Sequence, residues 1–180
     1  MPAAPNEFVP IRRLHHFAWR CRDCEETRRF YEDLLGLPLV HVIQSDHVPS
    51  TGEYCPYVHI FFQMRDGSYI AFFDLGDDQV AEPSPNTPAW VNHLALHVDS
   101  EAELRQAKAR LEAAGVEVLG VTDHHIIRSI YFFDPNGIRL ELTTPTVDAA
   151  AMHALAGRAH QEVRDWTAAK ARRKALATAA

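Results

Sequence analysis

A motif that occurs twice constrains this chain more than anything else in it. Leu14-His15-His16-Phe17-Ala18-Trp19 is answered by Val91-Asn92-His93-Leu94-Ala95-Leu96, with His16 and His93 in register 77 residues apart. Both stretches alternate as strands do. Each precedes an acidic helix start, Asp23-Cys24-Glu25-Glu26 and Asp99-Ser100-Glu101-Ala102-Glu103. Acids there suit the positive end of the helix dipole. The helices run through 30–35 and 107–112 and stop at Gly36 and Gly115, the usual residue past a helix end. Three strand-like runs follow in each half, at about 38–46, 56–64 and 68–75, then at about 116–123, 126–133 and 138–144. The last two of each set flank a tight turn, Arg65-Asp66-Gly67 and Asp134-Pro135-Asn136-Gly137, and such glycine turns join hairpins.

The sequence therefore predicts an α+β fold of two βαβββ modules. Residues 1–145 hold the pair, with modules at about 10–80 and 88–145. The stretch Glu82-Pro83-Ser84-Pro85-Asn86-Thr87-Pro88 is the linker by composition. Residues 146–180 are alanine-rich and helical by propensity. Leu155, Val163 and Trp166 give this extension a thin apolar stripe, so it is expected to pack across the core domain or a partner subunit. His153 and His160 are read as solvated.

Composition excludes several classes of function. The 47% hydrophobic content over 180 residues supplies a core without disulfides or structural metals. A net charge of −6 shows no basic footprint for nucleic acid. No apolar run approaches the roughly 18 residues that span a bilayer. The first seven residues lack the basic and apolar regions of a signal peptide, so a cytoplasmic location and no membrane association are expected. Three cysteines, an odd number, argue against a secreted disulfide framework. Cys21 and Cys24 are C-x-x-C spaced, but a closed zinc site needs two more ligands; they are read as small residues at a strand end.

Eleven histidines are a surplus for this length, and imidazole is the commonest metal ligand. Two strands in register could bring His16 and His93 into one concavity. His15 leaves the first choice open by one residue. In Ile138-Arg139-Leu140-Glu141-Leu142-Thr143, alternation puts Arg139, Glu141 and Thr143 on one face. A carboxylate on a mid-sheet strand needs a partner, because burying an unpaired charge is expensive. Two imidazoles and one carboxylate form the facial triad of non-haem iron(II) enzymes. Counting from Gly67 and Gly137, the counterpart of Glu141 in the first half is Ala71, so the site has one acid. His41, His47 and His97 are read as surface residues or neighbours of the site.

This layout, over about residues 10–145, resembles the vicinal-oxygen-chelate superfamily of glyoxalases, bleomycin and fosfomycin resistance proteins, epimerases and extradiol dioxygenases. The resemblance implies that each module curls into a half-barrel and that paired modules form a cup around a metal. It implies His16, His93 and Glu141 as metal ligands. Thr122-Asp123-His124, then Ile130-Tyr131, then Asp134-Pro135-Asn136-Gly137 and Glu141 resemble the extradiol ring-cleavage enzymes in particular. That implies His124 and Tyr131 as groups that hydrogen-bond substrate oxygen or dioxygen; the choice of His124 over His125 rests on spacing alone. Extradiol enzymes also carry an acid–base histidine on the last strand of the preceding module, where this chain has Ser68 or Tyr69. His59, on the same face as Phe61 (the counterpart of Tyr131), is the candidate substitute.

The expected function is then Fe(II)-dependent cleavage of a catecholic or related small aromatic substrate with O2. Mn(II) or another divalent metal is the alternative cofactor, and a homodimer or higher homo-oligomer the expected assembly. The alternatives are a fosfomycin-resistance-like thiol transferase, a glyoxalase or epimerase, and a metal-free binding protein. The glyoxalase or epimerase is less favoured, because those enzymes usually need a fourth protein ligand and Ala71 offers none.

Overall fold

The computed structural model describes residues 11–179; the amino-terminal ten residues, on which the signal-peptide reading and the start of the first module rest, lie outside them. The first module runs β1 (His16–Cys21), α1 (Cys24–Arg28), β2 (Leu39–His47), β3 (Tyr54–Gln63) and β4 (Tyr69–Asp74). The second runs β5 (Leu94–His97), α2 (Glu101–Ala113), β6 (Leu119–Asp123), β7 (Ile127–Phe133) and β8 (Arg139–Pro145). Each forms a four-stranded mixed sheet with the same topology, β1-β4-β3-β2 and β5-β8-β7-β6. β1 pairs parallel with β4 and β5 with β8; the other pairings are antiparallel. The chain thus folds as two βαβββ modules on two separate sheets.

Local chemistry sets these elements. The Asp23 carboxylate caps α1 by accepting from the Glu26 amide at 2.6 Å. Ser100 Oγ does the same for α2 from the Glu103 amide at 3.2 Å, satisfying amides that a helix start leaves free. The first helix continues as a π-helical turn over Arg29–Leu34, and both Phe30 and Tyr31 are buried. At the hairpins, Gly67 and Gly137 sit at φ of +78° and +81°, which a side chain would disfavour.

One face of each sheet builds a common core. Phe30, Tyr31, Phe62 and Phe72 join Leu104, Leu111, Phe132 and Leu140 in one buried cluster, with the Phe30 and Phe132 rings 6.3 Å apart. The hairpin turn of the second module is wedged against the first helix. Buried Asp134 accepts from the Tyr31 hydroxyl at 3.1 Å, and Asn136 Nδ2 donates to Thr27 Oγ1 at 3.2 Å. With the core on the helix side, the histidine-bearing faces are left on the far side of two different sheets.

α3 (Ala149–Ala179) is helical as expected, but it does not lie across its own core. No residue of it through Thr178 is buried. Val163 and Trp166 of the apolar stripe are 66% and 62% exposed. His153 and His160 are exposed. Among the described residues, no helix is long and apolar enough to cross a membrane.

Candidate active site

Strand register fixes which side chains share the outer faces. Phe61 pairs with Ala71 where Tyr131 pairs with Glu141, so Ala71 and Phe61 are the structural counterparts of Glu141 and Tyr131. His59 pairs with Phe73 where Ser129 pairs with Thr143.

On the second module, His93 stands one residue before β5, with Nδ1 2.9 Å from the Val91 carbonyl. Its Nε2 lies 3.0 Å from Glu141 Oε2. A hydrogen on Nδ1 donated to Val91 leaves the Nε2 lone pair facing a carboxylate oxygen. Such a pair needs a proton or a cation between its members. Two donors about 2.1 Å from a divalent ion and at right angles stand about 3 Å apart, so the donor set fits a metal. A backbone carbonyl on the other imidazole nitrogen is also what orients histidine ligands.

Glu141 is 3% exposed, and the buried Ser129 hydroxyl donates to its Oε1. Beside it, Tyr131 Oη and His124 Nε2 are 2.7 Å apart. Burial first, and then the Glu141 charge, raise the Tyr131 hydroxyl above its ordinary value, so the phenol keeps its proton and can donate it to His124 Nε2. The Arg139 guanidinium lies 4.3 Å above the Tyr131 ring, with Nη1 donating to the Trp90 carbonyl at 2.6 Å. The choice between His124 and His125 is made by a turn rather than by alternation. β6 ends at Asp123, the His124 amide donates to the Ile127 carbonyl, and His125, at φ +70°, is exposed.

Among the described residues, the first module's outer face presents imidazoles and aromatic rings with no acid among them. His59 is 7% exposed, with its ring centroid 3.6 Å from that of Phe73 and 4.1 Å from that of Phe61. Burial first, then His16 and His41, push its pKa down to about 4, so it is neutral near pH 7. Its Nε2 is buried without a hydrogen-bond partner among the described residues. His16 opens β1, with its ring 6.2 Å from that of His59 and 5.8 Å from that of Phe61. Alternation alone would turn His15 to the opposite face from His16. His15 precedes the strand, however, and its Nδ1 lies 2.8 Å from that of His16.

The fold therefore brings His93, Glu141, Tyr131 and His124 together on one sheet and puts His16 with His59 on the other. Among the described residues, no three His, Cys, Asp or Glu side chains gather into one metal-holding group. Cys21, at the end of β1, is buried and free, and burial pushes its thiol up to about 12, which suits packing and not catalysis. Sequence reasoning missed Ser129 as a partner of Glu141. Alternation puts it on the face of Tyr131, and that was the available signal.

The sequence profile of the glyoxalase/bleomycin resistance protein/dioxygenase superfamily matches residues 13–142. The uncharacterized protein YwkD of Bacillus subtilis (strain 168) is 30% identical over 135 residues, covering 73% of this chain and 96% of YwkD. A glyoxylase/bleomycin resistance protein/dioxygenase domain from Frankia sp. EAN1pec superposes with a TM-score of 0.61 at 18% identity, over 76% of this chain and 99% of that one. The fosfomycin resistance protein FosX of Listeria monocytogenes, in complex with Mn(II) and a dihydroxypropylphosphonic acid, gives 0.56 at 22%, over 79% and 98%. These two structures share the fold.

Proposed function

The chain belongs to the glyoxalase/bleomycin resistance protein/dioxygenase superfamily, and from that premise we propose that it is a metal-dependent, extradiol-type dioxygenase acting on a catecholic or related small aromatic substrate. The observation that carries the proposal is the His93–Glu141 pair, 3.0 Å apart, with an oriented imidazole and a buried carboxylate. These two residues are the ligands from one module, and Fe(II) is the metal, with Mn(II) the alternative. His16, on the other module's sheet, is the third ligand. Because the chain keeps its histidine-bearing faces on separate sheets, we assign His16 of a second copy to each His93–Glu141 pair, so that the working unit is a homodimer.

When bound, the metal supplies a chelation point for two adjacent substrate oxygens, lowers their pKa and couples their electrons to dioxygen. The chain's own groups handle protons and orientation. His124 takes a proton from a substrate hydroxyl, and the Tyr131 hydroxyl holds the developing oxyanion by hydrogen bonding. His59, with its free Nε2, is the acid–base group from the first module. Phe61, Tyr69 and Phe73 form the apolar wall against which an aromatic ring packs. Both oxygen atoms of O2 enter the ring-opened product, so no external reductant is needed.

Metal content and oxygen uptake, measured anaerobically reconstituted and then with a panel of catechols, test this reading. The wild type should bind close to one Fe(II) per chain and consume one O2 per substrate, and His93→Ala should do neither. Bound metal with thiol consumption in place of oxygen uptake would move the assignment to a transferase. Purification without chelator yielding no metal would sink the metal reading altogether.

A further inference from the structure

We propose that α3 is an arm that clasps a second copy of this chain, with its apolar stripe and its basic end seated on the acidic end of the first module's sheet. The inference goes beyond the reading of the active site and does not depend on a metal.

The arm is anomalous as a solitary element. Helical stability in water comes mostly from packing an amphipathic face, yet no residue of α3 through Thr178 is buried. At about 1.5 Å per residue, its 31 residues reach about 46 Å, longer than the roughly 37 Å width of a compact body of this size. It is long enough to cross a neighbouring molecule. Met152, Leu155, Val163 and Trp166 fall on one side at helical spacing, and the Arg173 guanidinium lies 4.7 Å over the Trp166 ring.

Charge identifies the occupant. Residues 149–180 carry six Lys and Arg against two Asp and Glu, or +4; residues 1–148 carry twelve against twenty-two, or −10. Five of the six cations lie in Arg164, Lys170, Arg172, Arg173 and Lys174. The rest of this same chain is therefore the complementary surface, and the arm buries none of its residues through Thr178 against its own body. On that body, β1 and β4 end where β2 turns into β3. Asp23, Asp46, Glu53, Asp77 and Asp78 are all exposed there; Asp77 pairs with Arg20 and Asp23 caps α1, which leaves Asp46, Glu53 and Asp78 as the acids open to the arm. Tyr54, 70% exposed, stands at the same turn, paired with His47, and offers the apolar stripe a seat. A reciprocal exchange, each arm on the other body, closes as a two-fold dimer.

Sedimentation of the full chain at low and high salt, with helical content checked by circular dichroism, tests the arm. The wild type should dimerise with an affinity that falls as salt screens the contact. Trp166→Ala should weaken the dimer by roughly thirtyfold, the size of an aromatic hot spot. Charge reversal at Arg172, Arg173 and Lys174 to Glu should weaken it, as should Asp46→Lys with Glu53→Lys, and the two sets combined in one chain should restore it. A dimer indifferent to Trp166→Ala and to the reversals overturns the arm while leaving a shared active site standing. A monomeric wild type, or an arm ordered only by anionic vesicles, overturns it as well.

Discussion

The two modules share one topology and one register, yet among the described residues only the second carries a carboxylate on its outer face. Position for position, Ala71 replaces Glu141 and Phe61 replaces Tyr131, while His16 and His93 are retained. The first module kept the imidazole and filled the remaining places with rings, so its face packs around His16 and His59. The second kept a buried acid and set polar partners against both its oxygens: the Ser129 hydroxyl and His93. The lesson is that a duplicated fold need not duplicate chemistry. Both faces keep an imidazole, and only one of them adds an acid and a phenol.

Exchanging the acid is the harshest way to break that comparison. Glu141→Gln should weaken Fe(II) or Mn(II) binding by more than the roughly 10- to 100-fold that loss of an outer hydrogen bond costs, as read by metal titration. The reverse exchange, Ala71→Glu, places an unpartnered carboxylate at a fully buried position. It should cost about 3–5 kcal/mol of stability and create no second site. If it bound a second metal ion, the modules would be equivalent after all.

The aromatic pair separates the halves next. Tyr131→Phe should lower kcat by about 10²–10⁴-fold, the usual worth of a positioned proton-transfer group, with metal affinity unchanged. Phe61→Tyr should leave kcat where it was. An equal loss in both variants would make Tyr131 a packing residue. Ser129→Ala comes below these: metal affinity should drop roughly 10- to 100-fold because Glu141 loses its buried donor, whereas Ser129→Thr should recover part of it.

How much of this was legible in the sequence follows from what periodicity encodes. Alternation and glycine turns gave the strands within a few residues, and counting from Gly67 and Gly137 found Ala71 opposite Glu141, as the register confirms. Alternation says which residues share a face but not which sheets adjoin. The split between the His16 face and the His93–Glu141 face, which depends on a core shared through Phe30, Tyr31 and Phe132, was therefore invisible. His15 and His124 escaped the period-two rule because each sits just outside a strand. Asp134 and Asn136 read as a hairpin turn, and they are one, but their burial against Tyr31 and Thr27 is a long-range contact that no local pattern announces.

That turn sets up the smallest and most specific test of the comparison. The two hairpins close with the same backbone bonds, Gly67 to the Met64 carbonyl and Gly137 to the Asp134 carbonyl, but their aspartates titrate in opposite senses. Asp66 is exposed, and the Ser68 hydroxyl and amide donate to it, holding its carboxyl below the ordinary value. Its contribution to stability is present above the unfolded value and is lost as pH falls through the folded one. Asp134 is buried, and burial outweighs its donors and raises its carboxyl. Its contribution is present below the unfolded value and is lost as pH rises through the folded one. Denaturant unfolding across the acid range should therefore show Asp66→Asn removing a loss on the low side and Asp134→Asn removing a loss on the high side. Were both variants to flatten the same limb, the second hairpin would be solvated like the first, and the junction between the modules would be looser than its buried bonds require.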